Sequence, residues 1–294
     1  ARSPIARGQI DSIDVDAARA LPGVRAVYTA ADLDRRKVEM LSLFMAASPD
    51  VAIKPLADGR VAHVGDPIAL VVAESRSIAE DAAALIDIRY SADDPVITTA
   101  DASQAAPIHP GMTSNVAAAM GSPELSADLA QLFETAPFTL THHLTHQRIA
   151  HSPMETRGVV VSPQGDEELT LYIACQSPHL VARWVTTAMG LPAGAVRVIA
   201  KDVGGSFGLK SHPWREEAAV IAAALLIGRP LKWIEDRYEN LISANQAREQ
   251  EMTLRLAFDS DGRLLGSFAD GAINNGAYPT VPDANVAPIA FLWS

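Results

Sequence analysis

Val196-Arg-Val-Ile-Ala-Lys-Asp-Val-Gly-Gly-Ser-Phe-Gly-Leu-Lys210 is the stretch from which the fold is read outward. Val196 to Ala200 is a strand-like run that leads into the glycine loop Val203-Gly-Gly-Ser-Phe-Gly208. Beyond it, Ser211 can cap and Pro213 can open a helix whose core, Glu217 to Ile227, is apolar nearly all round and is expected to be buried. Glycines let backbone N–H groups approach an anion closely, and a helix N-terminus is electropositive, so a loop in this position can hold a negatively charged ligand. The spacing does not fit the common nucleotide loops. A phosphate-binding P-loop needs Gly directly before its Lys, whereas Leu209 precedes Lys210, and a dinucleotide fingerprint would need Gly at Val203. A nucleotide-binding α/β enzyme is therefore a remote alternative, and a tight strand-to-helix turn is the plain one.

Upstream, strand-like runs cover Phe138 to His143, Gly158 to Ser162 and Leu169 to Gln176, and a helix runs from about Pro178 to Gly190. Downstream, Gly228-Arg-Pro230 ends the long helix, Leu231 to Glu235 is a strand, and Glu251 to Phe258 with Leu264 to Gly271 reads as a hairpin through Asp259-Ser-Asp-Gly262. The first hundred residues alternate short strands (Arg25 to Tyr28, Ile68 to Ala73, Ile86 to Tyr90) with an Ala-rich helix from Ser77 to Ile86. The fold class is α+β. Residues 1–100 form a small α/β domain, residues 101–125, rich in Ala, Ser, Pro and Gly, a linker, and residues 126–294 the start of a larger domain.

Composition narrows the function. The 294 residues carry a net charge of −11 with no Lys/Arg-rich run, which argues against a nucleic-acid partner. A single cysteine, Cys175, allows neither an internal disulfide nor a cysteine-ligated iron–sulfur cluster, and a cytoplasmic setting fits it. The longest apolar run, Ala218 to Ile227, is too short to span a bilayer core of about 30 Å as a helix, so no membrane span is expected. The first residues, Ala1-Arg2-Ser3-Pro4, lack an initiator Met, and the last, Ala290 to Ser294, are apolar without a stop signal, so both ends read as cuts.

Several residues could carry chemistry. Gln176, at the end of its strand, can aim an amide donor at a ligand or serve as an ordinary strand-end residue. His142, His143, His146 and His151 lack a convincing metal-ligand spacing, because the Thr-rich flanks favour strand, and no metal site is assigned to them. Cys175 lies in an apolar strand and reads as a buried small hydrophobe. Glu216, Glu217, Glu235, Asp236, Arg237 and Glu239 read as ion pairs around an element end.

Taken in order, these segments resemble the large, molybdopterin-binding subunit of the molybdenum hydroxylases: xanthine dehydrogenases, aldehyde oxidases and aerobic carbon monoxide dehydrogenases. Arg2 to Asp14, Leu21 to Val27 and Val64 to Ala73 resemble the small α/β-hammerhead domain. Pro153-Met-Glu-Thr-Arg157, Gln176-Ser-Pro-His179, Val203 to Lys210, Gly228-Arg-Pro-Leu-Lys-Trp233 and Asn275-Gly-Ala-Tyr278 resemble the first part of the molybdopterin-binding domain. Trp233 to Leu241 resembles the carbon monoxide dehydrogenase branch, and Ser211 stands where purine-oxidising members carry a substrate-contacting glutamate.

The resemblance implies that Gln176, Gly205, Ser206, Phe207 and Gly208 bind a molybdenum–molybdopterin cofactor in its cytosine dinucleotide form. It implies oxidative hydroxylation of a small molecule, an aldehyde, an N-heterocycle or CO. It also implies a heteromeric, dimerised complex in which iron–sulfur clusters and FAD reside on an iron–sulfur subunit and a FAD subunit. The base and the active-site loop it implies fall beyond Ser294, so no catalytic residue is assigned here. A non-catalytic truncated remnant of that subunit is the other expectation.

Overall fold

The computed structural model describes residues 1–36, 38, 53–117, 119 and 124–278. The final apolar segment, Ala290 to Ser294, lies outside them. The N-terminal unit contains β1 (Gly8–Asp14), α1 (Asp16–Ala20), β2 (Val24–Tyr28), α2 (Ala30–Leu33), β3 (Arg60–Val61), β4 (Leu70–Ala73), α3 (Arg76–Ala84) and β5 (Asp87–Ala92). β3, β1 and β5 form an antiparallel sheet in that order, and β2 pairs with β4. Val15, Ala18, Val27 and Ala82 bury the contact of α1 and α3 with the second pair. Ser75 caps α3 by accepting the Ile78 N–H.

The stretch expected to be a plain connector contains one short helix, α4 (Thr99–Gln104). Thr98 and Asp101 form a capping box there, a local signal overlooked beneath the small-residue composition. Then follow α5 (Ala127–Thr135), β6 (Phe138–His146), β7 (Ile149–Ala150), β8 (Gly158–Pro163), β9 (Leu169–Ile173), α6 (Pro178–Ala188), β10 (Val196–Ile199), α7 (Arg215–Ile227), β11 (Leu231–Ile234), α8 (Arg237–Ser243), β12 (Gln246–Ala247), β13 (Gln250–Phe258) and β14 (Leu264–Ile273).

The main core lies under the sheet β10-β9-β8-β11. Period-two alternation turns Val159 and Val161 of β8 and Leu169, Leu171 and Ile173 of β9 inward. In α6, Val181, Trp184, Val185 and Ala188 recur at i, i+3, i+4 and i+7, one helical stripe, and all four are buried. Pro178 opens that helix, where its missing N–H costs nothing. α7 is buried on every side from Ala218 to Leu225, as its composition requires, and Ala30 and Leu33 of α2 join the same core. A second sheet, β14-β13-β6, contains the expected hairpin.

One helix start differs from expectation. α7 begins at Arg215, and Glu217 Oε2 accepts the Trp214 N–H (3.0 Å) as a cap. Ser211 is held in the preceding turn by its N–H to the Gly208 carbonyl, and its hydroxyl meets His212 Nδ1 (3.0 Å), so it is not available to cap. β9 likewise ends at Ile173, leaving Gln176 in the loop beyond it.

Candidate functional site

β9 and β10 are parallel neighbours joined by the α6 crossover, with Ile199 opposite Tyr172. Their carboxyl ends therefore lie side by side, which is where open α/β sheets place ligands. The chain leaves β9 toward Gln176 and leaves β10 toward the glycine loop, so one edge of the sheet receives both.

Gln176 and the loop are tied by several hydrogen bonds. The Gln176 N–H donates to the Lys210 carbonyl (2.9 Å), and Gln176 Oε1 accepts the Gly208 N–H (3.0 Å) and the Ser206 hydroxyl. The Ser206 oxygen in turn accepts the Lys210 N–H (2.8 Å). Because a backbone N–H can only donate, the Gly208 contact sets the amide orientation: oxygen toward the loop, Nε2 away from it. The residue is exposed, and no hydrogen bond among the described residues uses Nε2.

Of the five expected cofactor residues, the structure thus brings Gln176, Ser206 and Gly208 into direct contact. Gly205 and Phe207 belong to the same turn without bonding Gln176. Phe207 is 75% exposed with φ +58°, a left-handed conformation that costs a side-chain-bearing residue about 1–3 kcal/mol. Gly205 (φ +92°) and Gly208 (φ +103°) accompany it in positive φ, and among the described residues no acceptor meets the N–H groups of Gly205, Ser206 or Phe207. Such a backbone turn is an uncharged cradle for an electron-rich atom.

The opposite side of the loop is held by Glu155, within the Pro153 to Arg157 motif, for which no local pattern predicts this role. Its Oε2 accepts both the Gly204 N–H (2.8 Å) and the Lys210 ammonium (2.8 Å). Burial pushes the Glu155 carboxyl up, but Lys210 and the Gly204 N–H outweigh it and hold the group below the usual range. His151 stands beside Gly208, its Nδ1 against the Asn245 carbonyl (3.0 Å); burial lowers its pKa, and that carbonyl opposes the shift.

Residues 1–94 match the family model for the aldehyde oxidase and xanthine dehydrogenase a/b hammerhead domain, and residues 108–292 match that for the molybdopterin cofactor-binding domain. The chain belongs to the molybdenum hydroxylase family. It is 33% identical over 283 residues to the nicotine 6-hydroxylase large subunit of Paenarthrobacter nicotinovorans, covering 96% of this chain and 35% of that one. It is 34% identical over 303 residues to the carbon monoxide dehydrogenase large chain of Hydrogenophaga pseudoflava, covering 98% and 37%. Quinoline 2-oxidoreductase from Pseudomonas putida 86 superposes with a TM-score of 0.79 at 35% identity, covering 92% of this chain and 35% of that structure. The chain thus spans little more than a third of these relatives' length.

Within this molybdenum hydroxylase chain the remaining candidates take structural places. Cys175 is buried, and burial raises its thiol pKa. His142, His143 and His146 lie on β6, and no group of three or more potential metal ligands occurs among the described residues. Of the charged set expected to form ion pairs, Asp236 pairs with Arg76 and Glu239 with Arg2, while Glu216, Glu217 and Glu235 converge on one buried arginine. Arg157 binds Glu216 (3.0 Å), Glu217 (3.3 Å) and Glu235 and stacks 5.5 Å over the Trp233 ring. Its partners are 59 to 78 positions away, so nothing local announced it. Among the described residues no helix is long and apolar enough to cross a membrane.

Proposed function

We propose that this chain forms part of the molybdenum-cofactor-binding subunit of an enzyme that hydroxylates a small molecule oxidatively, an aldehyde, an N-heterocycle or CO. The observation that carries the reading is Gln176. Its amide oxygen is committed to Gly208 and Ser206, so its Nε2 is a free donor beside the exposed turn at Phe207. The residues fit the group. An oxygen-liganded metal calls for uncharged donors at close range, and Gln176 Nε2 together with the N–H groups of Gly205, Ser206 and Phe207 supplies them. Glycine at position 205 keeps the approach open, since a Cβ there would stand 3.3 Å from the Phe207 ring.

When bound, a molybdenum–molybdopterin cofactor supplies a two-electron redox centre for oxidative hydroxylation. The chain's own residues hold and orient it. Gln176 donates without changing its charge. The backbone of Gly205 to Gly208 presents dipoles whose direction is set before any ligand arrives, which lowers the cost of binding. Lys210 is paired with Glu155, and Glu216, Glu217 and Glu235 are engaged with Arg157, so none is assigned as the base. With one cysteine the chain cannot ligate an iron–sulfur cluster, and the reading assigns clusters and FAD to partner subunits, with the pterin in its cytosine dinucleotide form.

The test is Gln176→Ala in the full-length subunit assembled with its partners, followed by molybdenum analysis and Mo(V) electron paramagnetic resonance. We expect an unchanged far-ultraviolet spectrum, an altered Mo(V) signal, and activity lower by a factor of ten or more. A wild-type assembly without molybdenum would overturn the reading.

A further inference from the structure

The exposed turn is held between two acceptors, Gln176 on its inner side and Glu155 on its outer side. A single oxygen of Glu155 takes donors from both ends of the loop, the Gly204 N–H and the Lys210 ammonium, each at 2.8 Å. These bracket Gly205, Ser206, Phe207, Gly208 and Leu209. The Gly204 carbonyl returns the contact by accepting the Glu155 N–H (3.1 Å), and a Cβ on Gly204 would lie 2.6 Å from the Glu155 Cβ. The two backbones are in contact, with no room for a side chain between them.

Exposure shows which partner depends on the other. The Lys210 side chain is 1% exposed and that of Glu155 is 42% exposed, so the carboxylate covers a buried ammonium from the solvent side. An unpaired ammonium at that depth would be strongly disfavoured, and Glu155 is its one ionic partner among the described residues. Lys210 stays inside because Glu155 is there. Glu155 itself stands on a fixed base: the Arg237 guanidinium donates to the carbonyls of Pro153 and Met154, the Thr156 hydroxyl donates to the Glu235 carbonyl (2.6 Å), and Arg157 is locked in its network.

We propose that Glu155 is a positioning residue: through Gly204 and Lys210 it locks loop 204–210 in the conformation that strains Phe207 and turns the Gln176 amide outward. The role rests on the reading that this loop faces the cofactor. Left-handed φ at a residue with a side chain persists only where its surroundings over-determine it. Gln176 constrains the inner side of the turn through Ser206 and Gly208, and Glu155 constrains its two ends. Removing the outer constraint lets Phe207 relax to negative φ, which reorients the peptide N–H groups beside it.

The experiment uses the full-length subunit in its assembly. Hydrogen–deuterium exchange is followed for a peptide spanning the loop, with a peptide spanning β8 as reference, beside molybdenum content and the Mo(V) spectrum. The variants are Glu155→Ala paired with Lys210→Met, which removes the clasp and the buried cation together, and Glu155→Gln. The double variant should raise loop exchange tenfold or more while the β8 peptide stays as in wild type, and should shift the Mo(V) spectrum. Glu155→Gln, which keeps an acceptor for the Gly204 N–H but not the charge that Lys210 pairs with, should give loop exchange between that of the wild type and the double variant. Unchanged loop exchange in the double variant would overturn the proposal, and so would a Mo(V) spectrum unchanged despite faster exchange. Absence of molybdenum from the wild type would overturn the cofactor reading alone, and the exchange data would still decide whether Glu155 locks the loop.

Discussion

Glu155 and Arg157 are two residues apart, yet they serve two different regions. Arg157 points into the protein, 1% exposed, among three carboxylates, and Glu155 points outward to a loop and meets one lysine. Inside, one guanidinium faces more negative charge than it can balance. Burial drives the Glu217 carboxyl up to about 7, with Arg157 opposing and Glu216 and Glu235 adding to the rise. Glu216 goes the other way: burial would raise it, but Arg157 and Arg2 hold it well below the usual range. Arg2 also reaches Glu239, and Arg215 pairs with Asp66, so buried charge ties the N-terminal unit to the larger one. At the loop the same kind of pairing only selects a backbone conformation. Both cations are buried, and the difference lies in their partners: the carboxylates on Arg157 are buried with it, whereas Glu155 is 42% exposed.

The largest effect should come from Arg157→Met. Three carboxylates would lose their shared cation, and breaking a buried ionic network from one side costs about 3–5 kcal/mol. Melting followed by circular dichroism should show Tm lower by roughly 10 °C for a chain of this size; a loss under a few degrees would mean that the interior network is no stronger than the loop pair.

Next is a pair of opposed pH effects. Burial pushes His212 down to about 4, and its Nε2 has no hydrogen-bond partner. The unfolded chain then binds the extra proton between about pH 6.5 and 4, so this group removes up to about 3 kcal/mol of stability on acidification across that window. Glu217 is shifted upward, so the folded state binds the extra proton between pH 4.5 and about 7, and its contribution is lost as pH rises through 7. In the wild type the two slopes oppose each other. His212→Phe should leave stability rising on acidification from pH 7 to 5, and Glu217→Gln should leave it falling. Urea unfolding at pH 5, 6 and 7 reads both, and parallel curves for the two variants would refute the assignment.

A smaller effect is expected from Gly204→Ala, whose Cβ would meet Glu155 Cβ at 2.6 Å. Overpacking at such a contact costs about 1–3 kcal/mol, and the disturbance should stay in the loop, as read by exchange or limited proteolysis. The smallest belongs to Arg25→Ala, which breaks a pair with Glu74 in which both side chains are more than half exposed. Its effect on unfolding free energy should lie within about 0.5 kcal/mol; a larger one would blunt the contrast between buried and exposed pairs.

Much of the architecture was legible locally. The alternation in β8 and β9, the stripe of Val181, Trp184, Val185 and Ala188, and the hairpin through Asp259 to Gly262 each come from residues within one element, where side-chain periodicity acts directly. The start of α7 is less legible: Ser211 and Pro213 are of suitable type to open it, yet the helix begins at Arg215. The competing turn engages Ser211 through the Gly208 carbonyl and His212 Nδ1.

For the site, residue types and their order pointed to Gln176 and to Gly205 through Gly208, and to a family. Bringing them together was the work of the α6 crossover, which returns the chain beside β9 so that positions thirty apart share a hydrogen bond. The Glu155–Lys210 clasp and the Arg157 network arose at the same level, from partners 55 to 78 positions distant. By itself the sequence determined the strongly periodic elements, the class and the family, since these rest on local pattern and residue identity. Only the tertiary structure decided which charges are buried, which way the Gln176 amide faces and what holds the loop, because burial and hydrogen-bond direction are properties of neighbours that the chain acquires on closing.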